Sequence, residues 1–160
     1  MESWHDFLIA MAGASGVLVG LLFVAISLNI DQLLTERHLL SRAAACLELL
    51  TTVLAFSCAL LIPDVNDTVR SWMILVGGLL AWAIVGIPGF REIGQGGAAQ
   101  RSRGIVALVL FQLATVPLVV AGFASFRMGT DALYILAPTF IVALIVVVLD
   151  SWVLLVEVRR

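Results

Sequence analysis

Phe7–Ile30 reads FLIAMAGASGVLVGLLFVAISLNI, an uncharged stretch closed by Asp31. At ~1.5 Å of rise per residue it forms a helix about 36 Å long, enough to cross a hydrocarbon core of ~30 Å with some tilt. Gly13, Gly16, Gly20 and Ser27 follow one another at steps of three, four and seven, so one face of this helix lacks bulk. Gly16-xxx-Gly20 has the spacing that lets membrane helices approach closely. The stretch therefore predicts a central helix against which the others pack, with Gly13, Gly16, Gly20 and Ser27 as a packing or pathway face.

The rest of the chain resembles this stretch. Of 160 residues, 62% are hydrophobic and 12% charged. So few charges do not cover the surface of a soluble chain of this size. Five apolar stretches, at about 7–30, 42–62, 71–90, 104–126 and 132–158, predict an all-α polytopic membrane protein, a bundle of five transmembrane helices. The links between them are too short to hold a soluble domain, so residues 1–160 are read as a single integral membrane domain. Net charge −2, the absence of Lys and the lack of a basic patch argue against nucleic acid. Glu2, His5 and Asp6 precede the first stretch where a cleavable signal peptide would carry basic residues, so the stretch is read as a retained helix.

The links carry breakers and charge. Asp31 to Ser41 is a polar link, Pro63 stops the second helix, and Asp64, Asn66 and Asp67 form an acidic turn. Arg91 to Arg103, with Gly94, Gly96 and Gly97, is predicted to be flexible. Pro117 and Pro138 fall inside helices, where a kink can be tolerated. With five crossings, Arg37, Arg42, Arg91, Arg101, Arg103, Arg159 and Arg160 share one side, and only Arg70 and Arg127 lie on the other. The bias of seven against two places the N-terminus out and the C-terminus in. The expected location is the bacterial cytoplasmic (inner) membrane, with the lipid bilayer as solvent.

Ionisable groups inside a membrane are costly and are candidates for function. Glu48 and Asp150 stand out, with Gln112 and Asn29 as strongly polar companions. Counted from the flanking arginines, Glu48 lies about 9 Å deep and Gln112 and Asp150 about 13 Å. They predict a polar layer in the cytoplasmic half, with Asn29 at its rim. One reading of the layer is a proton or cation site. The other is structural, with the carboxylates hydrogen-bonded to Gln112 or paired with Arg42, Arg101 or Arg103. Cys46 and Cys58, ~18 Å apart on one helix, cannot form a disulfide together and are read as small packing residues. His5 and His38 fall on opposite sides of the membrane, and no nucleophile elbow, HExxH or phosphate loop occurs. No catalytic, cofactor-binding or metal residue is therefore expected, no cofactor is implied, and the chain is read as not an enzyme.

Three stretches together, AGASGVLVGLLFVAISLNID, QLATVPLVVAGF and LDSWVLLVEVRR, resemble a group of small bacterial membrane proteins that carry the label "modulator of FtsH protease". The resemblance spans nearly the whole chain and brings no functional residues with it. It implies a partner role at a membrane-bound quality-control protease. Two functions follow. The first is a non-enzymatic adaptor or modulator acting by helix–helix contact with other membrane proteins. The alternative is a subunit of a small oligomeric ion channel or transporter, self-associated around the polar layer.

Overall fold

The computed structural model describes residues 2–35, 37–95 and 98–158, and among these there is no strand. The helices are α1 (Glu2–Leu28), α2 (Ile30–Thr35), α3 (Arg37–Leu60), α4 (Asp67–Gln95), α5 (Ala98–Met128) and α6 (Leu133–Val158), with a 3-10 turn at Gly129–Ala132 before α6. Four runs among the described residues are long and apolar enough to cross a membrane: Trp4–Leu28, Leu39–Leu60, Asp67–Ile84 and Gly104–Trp152. The last is 49 residues long and contains the 3-10 turn. Gly129 there has φ +58°, a left-handed conformation that ends α5 and costs glycine little.

The links are more helical than expected. The polar link Asp31 to Ser41 contains most of α2 and the first turn of α3. Its leucines explain this: Leu33 and Leu39 are buried in one small cluster with Ala43, flanked by Ile26 and Leu40. Two short amphipathic helical pieces bury those side chains where a solvated loop would expose them. The link expected to be flexible is also helical over most of its length, since α4 runs past Phe90 to Gln95 and α5 begins at Ala98. Gly96 and Gly97 lie outside the described residues, as do Arg159 and Arg160. The turn at Pro63 is as read: α3 ends at Leu60, and Asp64 takes φ +58°.

The chain gathers into two compact units, and α6 contributes to both. Residues 1–61 with 144–160 form the first, and 62–143 form the second. In the first unit α1 packs on α3, and α2 touches both. The buried stripe of α1 is Leu8, Met11 and Ser15, at steps of three and four. At 100° per residue, Gly13 and Gly20 lie on the opposite side of the helix from that stripe. Gly13, Gly20 and Ser27 are exposed, and a Cβ built on Gly13 or Gly20 meets nothing within 4 Å. Gly16 is half-buried, and a Cβ there meets only Leu54 Cδ1, at 3.9 Å. Within the first unit α1 therefore does not pack through the Gly13 and Gly20 face, contrary to the expectation of a glycine-faced central helix. Its apolar window is 17% buried inside the chain, against 44% for Leu39–Leu60. Small residues permit close approach but contribute little apolar area, and α1 packs through its larger side chains.

Glycine-mediated close approach occurs instead in the second unit, between α4 and α5. A Cβ on Gly78 would lie 3.1 Å from the Leu118 carbonyl carbon, and one on Gly122 would lie 2.6 Å from Leu75 Cα. Each glycine faces the other helix's backbone, with Ala114 and Ala121 buried on α5 beside them. Trp72 and Phe126 add an edge-to-face pair, with centroids 5.3 Å apart. At the start of α4 the Asn66 carbonyl accepts the Arg70 N–H at 2.9 Å. The Arg70 guanidinium then donates to Asp67 Oδ1 at 2.6 Å and to the Val65 carbonyl at 3.0 Å.

Gly122→Ala forces a methyl against backbone that cannot rotate aside, and a loss of about 1–3 kcal/mol in stability is expected. Gly13→Ala and Gly20→Ala should stay within about 0.5 kcal/mol of the parent. Thermal unfolding in detergent, followed by circular dichroism, checks the contrast. Equal losses at all three glycines would contradict this packing.

Candidate functional site

Asp150 is the only charged residue buried among the described residues, at 6% exposure. It lies on the part of α6 that belongs to the first unit. Its Oδ1 accepts a charge-assisted bond from Arg42 Nη2, and its Oδ2 accepts the Cys46 thiol at 3.3 Å. Arg42 and Cys46 are four residues apart on α3, so they stand one above the other on one face and meet the two oxygens of one carboxylate. The Arg42 side chain keeps 21% exposure, so the pair runs from the helix rim inward. A carboxylate held by a guanidinium and a thiol has both oxygens occupied, and this arrangement joins α3 to α6. The sequence offered Arg42 as a partner. It did not offer Cys46, which is fully buried as a packing residue should be and also donates its S–H. The available signal was the four-residue spacing from Arg42.

Glu48 stands apart. It follows Cys46 by two residues, about 200° around the helix, and so points to the other side of α3 from the Asp150 contact. Its Oε1 has one partner, the Thr52 hydroxyl at 3.5 Å, the long limit for a hydrogen bond. Its Oε2 is closed to solvent and has no partner. Glu48 and Asp150 share no hydrogen-bond partner, so the layer does not assemble as a pair of carboxylates.

The two amides are also satisfied locally. Asn29 sits between α1 and α2 and donates its amide to the Ala25 carbonyl at 2.8 Å, capping the end of α1. Gln112, on α5 in the second unit, accepts the Thr115 hydroxyl at 3.3 Å. Of the four residues read as one layer, Asp150 is taken by α3, Asn29 and Gln112 are bonded within or beside their own helices, and Glu48 retains an unpaired oxygen. Cys46 and Cys58 are free thiols, buried and exposed respectively. Among the described residues no three His, Cys, Asp or Glu gather as metal ligands would. No family model, curated protein or solved structure matches the chain.

Asp150→Ala leaves the Arg42 guanidinium without its carboxylate at a mostly buried position, and a loss of about 3–5 kcal/mol in stability is expected. Replacing both partners, Arg42→Met with Asp150→Leu, should recover most of that loss, because neither charge is then stranded. Denaturant-resistance curves in detergent for the single and double variants measure the difference. A double variant as damaged as the single one would show that the pairing is not what the fold depends on.

Proposed function

We propose that this chain is a multi-pass protein of the bacterial cytoplasmic membrane, with the N-terminus out and the C-terminus in. We propose further that it works as a non-enzymatic adaptor or modulator through helix–helix contact with other membrane proteins. The span count rests on length. A run of 49 residues would make a helix of about 74 Å, more than twice a hydrocarbon core of ~30 Å. Gly129 interrupts that run, and two crossings there bring the total to five. The seven-to-two arginine bias supports the orientation.

The observation that carries the adaptor reading is the open face of α1. Gly13 and Gly20 have no neighbour within Cβ reach, and Val17, Leu21 and Val24 beside them are more than half exposed. Within lipid such a face is available to a helix of another protein, because small residues let a second backbone come close. The resemblance to proteins labelled as modulators of a membrane-bound protease agrees with a role of this kind.

A photo-crosslinking side chain at Gly20, introduced in the full chain in its native membrane, is expected to capture the membrane-bound protease. The same group at Leu50, which is buried, should not. Crosslinks to lipid alone, with no protein co-purifying after mild solubilisation, would overturn the adaptor role. Reporter fusions at both termini test the orientation, and an N-terminal reporter active in the cytoplasm would overturn it.

A further inference from the structure

Glu48 is left over from everything assigned above. It lies within the apolar run Leu39–Leu60, its Oε2 is closed off without a partner, and its other oxygen has only the long Thr52 bond. Among the described residues no positive charge is bonded to either oxygen. Arg42, a turn and a half away on α3, is engaged with Asp150, and Asp150 is engaged in turn with Arg42 and Cys46. α1 has no ionisable residue between Asp6 and Asp31, and Asp31 on α2 is exposed and acidic. A carboxylate without a countercharge in hydrocarbon is too costly to persist. No described residue supplies the positive charge that Glu48 lacks, and a small cation from outside the chain would supply it.

We propose that Glu48, with the Thr52 hydroxyl beside it, is an exchangeable site for a small monovalent cation, the proton included. The inference rests on the membrane placement proposed above and not on the adaptor role. It separates the two intramembrane carboxyls by chemistry. Asp150 is neutralised from within by Arg42 and is structural, whereas Glu48 is neutralised from outside and can exchange. Thr51 and Ala55, small residues on the neighbouring side of α3, are exposed.

A membrane-soluble carbodiimide tests the proposal on the full chain reconstituted in liposomes. The carboxyl oxygen bonds to the central carbon of the reagent, the carboxyl proton moves to its nitrogen, and no group leaves, so only a protonated carboxyl reacts. The expected result, read by peptide mass spectrometry, is an adduct on Glu48 and none on Asp150. Glu48→Gln should lose the adduct while keeping the parent thermal transition. If that variant fails to fold, the titration of the parent protein decides. For a proton site the Glu48 adduct declines as pH rises from mildly acidic to mildly alkaline, and sodium has no effect. For an alkali-cation site sodium chloride at fixed pH protects Glu48. Either pattern supports the proposal. No adduct on Glu48 at any pH would overturn it, and so would an adduct indifferent to both pH and sodium. Failure of the protease crosslink would leave this result untouched.

Discussion

Polar groups with no water available must be satisfied by the protein, and this constraint shapes the interior of the molecule. The commonest solution is local. Ser15 is fully buried and donates to the Met11 carbonyl at 2.6 Å, and Thr115 donates to the Phe111 carbonyl at 3.0 Å. Ser71 and Thr139 do the same four residues back on their own helices. Such bonds make a hydroxyl nearly silent, since its proton is returned to the helix that carries it. Serine and threonine can therefore populate an apolar helix without creating a site.

Carboxylates cannot use that solution, because they have no proton to donate to a carbonyl when ionised and carry a full charge. Asp150 finds its partners on another helix, and its position on α6 places it opposite two side chains one turn apart on α3. Glu48 finds no such partner. The contrast arises from position and not from residue type. Two acidic groups on apolar helices differ because one faces an arginine and the other faces away from it.

Close packing follows a similar logic. Helix pairs approach most nearly where a missing side chain on one meets backbone on the other, as at Gly78 against Leu118 and Gly122 against Leu75. The two glycines act reciprocally, one from α4 and one from α5, so the helices gain contact over a surface that any Cβ would hold apart. On α1, Gly13 and Gly20 lie away from the buried Leu8 and Met11, and Gly16 meets Leu54 of α3 only at ordinary contact distance. A small-residue pattern on one helix marks a place where close approach is permitted. Whether it occurs depends on what the facing helix presents.

The helical class of the chain, its apolar runs and the break at Pro63 were legible in the sequence, because hydropathy and proline geometry are properties of a single segment. The folding of the Asp31 to Ser41 link was partly legible in Leu33 and Leu39, two apolar residues in a polar setting, although charge dominated the reading. The polar layer was legible as a set of costly residues but not as a set of contacts. A hydrogen bond between Arg42 and Asp150 joins positions 108 residues apart, and nothing in either segment specifies the azimuth of the other. Sequence alone determined which residues must lie in apolar helices. Only the tertiary structure decided which carboxyl is neutralised by the chain and which glycines touch a neighbour, because both depend on two helices' rotations and registers at once.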